Sequence, residues 1–359
     1  KVETRTTSEE LNKIAYAGAK LGIGQYGISG LEGFTKEANE INVALKEDLG
    51  EDAMTALSKL TEVMGLIPKM GVEKSMKAVG SALFMLGATS TATAGNIVEF
   101  SKRLTGLAKV TGVTTDQLLG LASASDAMYL MPEVSATAFN KLFTSLQTKH
   151  NLIEQELSIT PGTINNLYSA GKAIDAMVLI FDKMKEKGNR NALQSVFKDL
   201  GSDGARLVNV MVTMSQNVDM LKKHLQTSKT SFEEATAVTM EYNIQQQTAA
   251  ALMERASNIW EKAFINPAGV DTVKGLAKAW YDLSVQLTSS YGYMTSVKIA
   301  LSLVMSAIKA MISILPQLIT LLMFKGVVAA GMGVVSMFKI VGEASFFATV
   351  RATRLSTAL

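Results

Sequence analysis

Apolar residues recur along most of the chain at the spacing of amphipathic helices. Between about residues 31 and 46, Phe34, Ala38, Ile41 and Leu45 fall on one helical face. The same spacing predicts further helices at about 51–67, 72–86 and 94–111. No stretch shows the strict alternation that is typical of a strand. The pattern predicts an all-α protein: a multi-helix bundle of short helices, followed by longer helices and an apolar helical hairpin.

Local signals divide this pattern into separate helices. Glycines are frequent in 22–30, and because glycine is costly in a helix interior they predict a break there. Pro68 is expected to end the third helix. Thr114 and Gln117 have the spacing of a capping box, and Pro132 suits the first turn of the next helix. These signals predict short helices joined by short turns.

The second half of the chain is expected to carry longer helices. One helix is predicted near 163–187, and a loop is predicted at "GSDG", before a helix at about 205–226. The stretch 228–264 is expected to form one long helix, and because its middle, "EYNIQQQTAA", is polar on most faces, we expect it to extend between separate bodies. The predicted domains are a compact helical core at 1–200, longer and partly polar helices at 201–295, and apolar, candidate membrane-active helices at 296–359.

Lysines interrupt the apolar C-terminal region at regular positions. The charge-free runs 299–308, 310–324 and 326–338 are all shorter than the about 20 residues needed to cross a bilayer. Lys298 and Lys309 return to nearly the same helical face, as do Lys325 and Lys339, so each of these two pairs marks a narrow polar seam. Two settings fit such helices equally well: a bundle whose seam faces a lumen, or an inserted helix whose lysines reach the interface.

The C-terminal region is the predicted segment for self-packing or membrane contact. Pro316 is expected to start or kink a helix, and small residues at four-residue spacing favour close helix packing. The residues of this predicted segment are Lys298, Ile299, Lys309, Pro316, Leu318, Leu322, Phe324, Lys325, Gly326, Ala330, Gly333, Phe338 and Lys339.

Composition narrows the classes of function. Among 359 residues there is no cysteine, which excludes disulfides, thiolate nucleophiles and cysteine-ligated metals. The net charge of +3 comes from interspersed charges, without the basic runs of nucleic-acid-binding tails, so we expect no sequence-specific nucleic acid binding. The chain begins with Lys1 and not with Met, and we expect it to be part of a longer or processed polypeptide.

Motifs for catalysis are weak. "GIGQYG" at 22–27 matches a dinucleotide-binding pattern, with Glu40 or Asp48 at a suitable distance, but a helical pattern precedes it where a strand is required. His150 and His224 lie far apart in the sequence, and both are expected to face solvent. "GSDGAR" could hold an anion but fits a helix connection better. The sequence therefore predicts no enzyme, no catalytic, cofactor or metal site, and no cofactor.

A family resemblance covers roughly residues 8–160. The phrases "LNKIAYAGAKLGIGQYGISGLEGF", "EDAMTALSKLTEVMG" and "PEVSATAFNKLFTSL" occur in order around a central passage from Thr91 to Ser125. That passage, "TATAGNIVEFSKRLTGLAKVTGVTTDQLLGLASAS", resembles the core of phage tail tape measure proteins. The rest of the chain fits that family in character but carries none of its motifs.

The resemblance implies a structural protein of a long-tailed phage or a related injection device. Such proteins form a helical multimer, often of three copies, in the lumen of the tail tube and set the tail length. Implied partners are further copies of the chain, the tail tube protein, baseplate or tail-tip proteins and tail-assembly chaperones. The implied locations are the virion tail lumen, the host cytoplasm during assembly and, when apolar segments assist DNA passage on infection, the host inner membrane.

Two further expectations complete the sequence-based interpretation. Because glycine and proline breaks prevent one continuous helix, this piece is expected to be the compact and membrane-active part, with the measuring helices outside it. The alternative function is a stand-alone, membrane-active helical protein that forms pores in the manner of a colicin, using 299–338.

Overall fold

All regular structure in the described residues is helical. The computed structural model describes residues 6–45, 51–187, 196–197 and 201–248. Within them are fourteen α-helices and one 3₁₀-helix, which confirms the predicted all-α fold. The α-helices are α1 Ser8–Lys20, α2 Gly27–Ala44, α3 Glu51–Val63, α4 Leu66–Met70, α5 Val72–Ala88, α6 Ala94–Thr111, α7 Thr115–Ala127, α8 Pro132–Thr148, α9 His150–Leu157, α10 Thr163–Ser169, α11 Ala173–Lys187, α12 Gly201–Gln216, α13 Val218–Glu234 and α14 Ala237–Gln246.

Helix α7 lies at the centre of the compact unit Glu9–Gln245. It packs against α5, α6, α8 and α13. Every residue from Leu118 to Ser125 is buried, so this helix is enclosed on all sides over two turns. Small residues make this enclosure possible, because "GLASAS" lets neighbouring helices come close to the α7 backbone.

The closest approach is made by α13 at Gly120. A Cβ atom placed on Gly120 would lie 2.9 Å from Leu225 Cα and 3.0 Å from the carbonyl oxygen of His224. Both contacts are with backbone, which cannot move aside as a side chain can. Gly120 is therefore required for the spacing of α7 and α13.

Other helices pack around α7 and contact one another in pairs through their apolar faces. Helices α2 and α5 run parallel, because Gly33 lies beside Glu73 and Ile41 beside Gly80. Helices α6 and α8 meet through Phe100 and Phe139, whose rings stack edge to face with centroids 5.8 Å apart. Helix α12 packs on α8 and α11. A single connected apolar core joins these helices.

Several predicted boundaries are confirmed in detail. Helix α6 spans 94–111 as expected, and Gly112 follows it in the left-handed conformation (φ 75°). Thr114 and Gln117 form the predicted capping box, and Pro132 opens α8. The break at "GIGQYG" is a 3₁₀-helix, Ile23–Tyr26, flanked by glycines with positive φ.

Other boundaries were predicted wrongly. Helix α2 begins at Gly27, earlier than expected, because it restarts directly after the 3₁₀-helix. Helix α3 ends at Val63, before Gly65 in the left-handed conformation. Pro68 does not end this helix but lies in the first turn of α4, where a backbone N–H has no partner within the helix and its absence costs nothing. The helix expected at 163–187 is divided into α10 and α11 around Gly171, which has φ 71°.

The helix boundaries after residue 200 differ more from those predicted from the sequence. "GSDG" is the first turn of α12 and not a loop. The long helix expected from 228 is interrupted, because α13 ends at Glu234 and Ala235 takes a left-handed φ of 52° before α14. Helices α12 and α13 pack into the same core as the helices before residue 200. The part of 228–264 beyond residue 248, the further predicted helices and the apolar hairpin of 296–359 lie outside the described residues.

A second unit is formed by Lys1–Ser8 and Gln246–Leu359. Of its residues, 6–8 and 246–248 are described.

Two glycine substitutions should have opposite effects on stability. Gly120→Ala should lower the free energy of unfolding by about 1–3 kcal/mol, because the added methyl group meets the α13 backbone. Gly106→Ala is the matched control in α6, since a Cβ there has nothing within 4 Å. It should raise stability by up to about 1 kcal/mol through helix propensity. Urea unfolding measures both changes, and equal effects would contradict the close approach of α7 and α13.

Candidate functional site

Ionisable side chains gather between α2 and α5. We define the α2–α5 charge cluster as Lys36, Glu37, Glu40, Glu73 and Lys77. Lys36 Nζ lies 3.1 Å from Glu37 Oε1 and 3.1 Å from Glu73 Oε1. Lys77 Nζ lies 3.6 Å from Glu37 Oε1 and 3.9 Å from Glu73 Oε1. The two lysines thus bridge one buried and one exposed carboxylate.

Glu37 is the unusual member of this cluster. Its side chain is fully buried, and its Oε2 atom has no hydrogen-bond partner. Burial raises the pKa of Glu37, as does the charge of Glu40 one turn later on α2, and the two lysines only partly offset this. Glu73 behaves in the opposite way, because its hydrogen bond to Lys36 lowers its pKa. The fold therefore disfavours the charge on Glu37 and favours the charge on Glu73.

Glu40 connects the α2–α5 charge cluster to α14. Its Oε2 atom accepts a hydrogen bond from Thr239 Oγ1 of α14 at 2.8 Å. In the dinucleotide-binding pattern, Glu40 is one of the two acidic residues that follow the glycines at a suitable distance. The structure places a helix, α1, before "GIGQYG" and gives the Glu40 carboxylate an internal partner, so these residues do not form a dinucleotide site.

A serine and a histidine meet between α7 and α13. Ser123 Oγ and His224 Nδ1 lie 2.8 Å apart, and both side chains are buried. Burial lowers the pKa of His224, and the charge of Lys223 lowers it further. The neutral form of the imidazole is thus favoured. Such a pair resembles a nucleophile and its base, but burial of both groups leaves no access for a substrate in this conformation.

The prediction that both histidines face solvent was wrong. His224 is buried, and His150 is half-buried with its Nδ1 atom shielded and without a hydrogen-bond partner. A sequence signal for His224 did exist, because Leu221 and Ser228 place it on the inward face of α13 at helical spacing. Only the packing of α7 shows that Ser123 is its partner.

Two grooves open on the surface of the compact unit. One, of about 460 Å³, lies between α7, α11 and α13, with Asp116, Asp175 and Lys229 among its lining residues. The other, also about 460 Å³, lies between α3 and α6 and includes Lys59 and Lys102. No group of three or more histidine, aspartate or glutamate side chains in the described residues could hold a metal ion.

The predicted self-packing and membrane segment, Lys298 to Lys339, lies entirely outside the described residues. Among the helices within the described ranges, none has the length and apolar character to span a bilayer.

Comparisons with known protein families, with characterised proteins and with solved structures find no match to this chain. Its function is therefore argued from its own residues and from the resemblance described above.

The buried histidine should make stability depend on pH. The folded protein lowers the pKa of His224 below the ordinary 6.5, so below pH 6.5 the unfolded chain takes up the proton first. The free energy of unfolding should then fall by up to about 1.4 kcal/mol per pH unit until the folded protein also becomes protonated. His224→Gln is the control. Urea unfolding at pH 7.5 and 5.5 should show a smaller loss for this variant, and an equal loss would contradict the assignment.

Two glutamine substitutions test the charge cluster. Glu37→Gln should leave the free energy of unfolding at pH 7 unchanged or raise it, because the fold disfavours this buried charge. Glu73→Gln should lower it by about 0.5 kcal/mol, because Glu73 loses an ion pair at the surface. Thermal or urea unfolding of the two variants provides the comparison. A large loss of stability in Glu37→Gln alone would show that the attraction of Lys36 and Lys77 for the Glu37 carboxylate outweighs the cost of its burial.

Proposed function

We propose that this chain is the core of a tail tape measure protein from a long-tailed phage or a related injection device. The observation that carries the proposal is the ordered resemblance over roughly residues 8–160. In this proposal the chain is a structural protein and not an enzyme. It acts as a homo-oligomer, with three copies as the expected number, inside the tail tube.

The central passage of the resemblance, Thr91 to Ser125, supports a role as a folded core. These residues build α6 and α7, the second of which is the enclosed central helix. The two helices are joined as a hairpin by Asp126: its Oδ2 atom accepts the backbone N–H of Thr93 at 2.7 Å, and its Oδ1 atom accepts Asn96 Nδ2 at 2.8 Å. The carboxylate thus lies at the N-terminus of α6, where a negative charge is favourable.

Residues Glu9–Gln245 form a compact unit, which supports a packing role for this part of the protein and a measuring role for other helices. A helix measures length because it adds about 1.5 Å per residue. A bundle of short helices does not extend in this way. We therefore assign the measuring role to helices outside this piece and the role of a packed core to this unit, which would contact the tail tube and the baseplate or tail-tip proteins.

Membrane contact belongs to the later stage of the proposed function. The apolar helices predicted at 296–359 would pack against copies of the chain in the tube and would assist DNA passage across the host inner membrane after release. The alternative, a stand-alone pore-forming protein, rests on the same apolar residues without any tail.

Tail length provides the direct test. Deleting or duplicating helical stretches of the full-length gene outside this core should shorten or lengthen the tail by about 1.5 Å per residue changed. Electron microscopy of the virions measures tail length. The control is Gly106→Ala within the core, which adds no length and should leave the tails unchanged.

Two results would contradict the proposal. Tails of unchanged length after a large deletion would remove the measuring role. Dye leakage from vesicles caused by the purified chain, together with normal tails in its absence, would favour the pore-forming alternative.

A further inference from the structure

Helices α11 and α13 are joined by two ion pairs. Lys222 Nζ of α13 lies 2.7 Å from Asp182 Oδ1 of α11, and Lys185 Nζ of α11 lies 2.6 Å from Asp219 Oδ2 of α13. Because the residue numbers rise along α11 as they fall along α13, the two helices run antiparallel. The pairs also fix the register, since they are three residues apart on both helices.

The same register would bring Asp175 beside Lys229 two helical turns farther along, because residues seven apart lie on nearly the same face of a helix. These two described residues form no ion pair, although both are exposed and both line the groove between α7, α11 and α13. Helices α11 and α13 are therefore farther apart at this end than at Asp182 and Lys222.

The contact of α13 with α7 explains this separation. At Gly120 the α13 backbone lies directly against α7, and Ser228 Oγ donates a hydrogen bond to the carbonyl oxygen of Asp116 at 2.7 Å. Helix α13 thus follows α7 and diverges from α11. The space that results is the groove of about 460 Å³, a volume within the range of about 300–1,000 Å³ that is typical of ligand pockets.

The less exposed part of the groove lining is apolar. It consists of Ile174, Val178 and Leu179 of α11 and Leu225 of α13. Ile174 is buried, but the other three side chains are only half-buried, so apolar surface is in contact with solvent inside the groove. Aliphatic side chains of a ligand would bind here favourably, because they would remove this surface from water.

The rest of the lining carries a net negative charge. Asp182 and Lys222 pair with each other, so their charges offset one another. Asp116, Asp175 and Lys229 contribute two negative charges and one positive charge, and none of the three forms an ion pair among the described residues. The groove therefore favours a cationic ligand over an anionic one.

We propose that this groove binds a peptide segment of a partner protein in which arginine is flanked by aliphatic side chains. The guanidinium group pairs with Asp116 and Asp175 at the wide end, and the aliphatic side chains cover Val178, Leu179 and Leu225. Arginine suits the site better than lysine, because its planar guanidinium group donates two parallel hydrogen bonds to a carboxylate. This binding site goes beyond the structural role proposed for the chain and does not depend on it.

Three labelled peptides test the chemistry of the ligand. Each is a short helical peptide of alanine and leucine with two further residues one turn apart: arginine in the first peptide, glutamine in the second and glutamate in the third. Fluorescence anisotropy measures their binding to the whole chain. We expect the arginine peptide to bind at least roughly tenfold more tightly than the glutamine peptide, because it gains hydrogen bonds between charged groups. The glutamate peptide should bind most weakly.

Two substitutions in the groove should have opposite effects. Asp175→Asn removes a carboxylate and should weaken binding of the arginine peptide roughly tenfold. Lys229→Gln removes the competing positive charge and should strengthen binding roughly twofold to threefold. Glu186→Gln is the matched control on α11, because it removes the same charge from an exposed residue that pairs with Lys183 and does not line the groove. It should change binding by less than about twofold.

A third substitution tests the apolar part of the groove. Val178→Phe enlarges a half-buried side chain and fills the groove without changing its charge, so it should abolish binding of the arginine peptide. Circular dichroism shows whether this variant is folded. If it is not, Asp175→Asn decides the question, because it changes an exposed side chain.

Three results would overturn the proposal. No binding of the arginine peptide, or binding equal to that of the glutamine peptide, would mean that the carboxylates do not hold a guanidinium group. Equal weakening by Asp175→Asn and Glu186→Gln would mean that the peptide responds only to general surface charge. Unchanged binding to folded Val178→Phe would place the peptide outside the groove.

Discussion

The distance between α7 and α13 is the constraint on which the bundle depends. Gly120 has no side chain, so the α13 backbone lies against α7 at Leu225. This approach places His224 beside Ser123 and brings Ser228 Oγ within 2.7 Å of the carbonyl oxygen of Asp116. A helix enclosed on all sides cannot bury large side chains on every face. Small residues on α7 therefore set how closely its neighbours pack.

Most buried polar groups inside this bundle are paired, and a few are not. Buried polar atoms are costly unless they are paired. Glu154 meets the rule, because its two carboxylate oxygens accept the backbone N–H groups of Gly162 at 2.8 Å and Ile164 at 2.6 Å, at the start of α10. Glu37 is one of the exceptions, because its Oε2 atom has no hydrogen-bond partner, and burial raises its pKa. Among the described residues, buried side-chain atoms of Ser101, Thr115 and His150 also have no hydrogen-bond partner.

The fold class and many helix boundaries could be predicted from the sequence, because they depend on local chemistry. The capping box at Thr114, the left-handed Gly112 and the proline that opens α8 each involve residues only a few positions apart. The errors share a different cause. No glycine or proline lies near Ala235 to predict the end of α13, and the contact of Val238 with Gly80 of α5 joins residues that are far apart in the sequence. The buried pair of Ser123 and His224 escaped prediction for the same reason.

The sequence by itself determined that the chain is helical, where most of its helices start and stop, and which faces are apolar, since helix periodicity and capping act over single turns. It also carries the resemblance on which the proposed function rests. Only the tertiary structure decided which helix is central and which carboxylates are buried. The position of the central helix depends on contacts between residues far apart in the sequence, such as Ser123 with His224. The pattern of apolar residues does not specify such contacts, because it shows which face of each helix is buried but not which other helix covers that face.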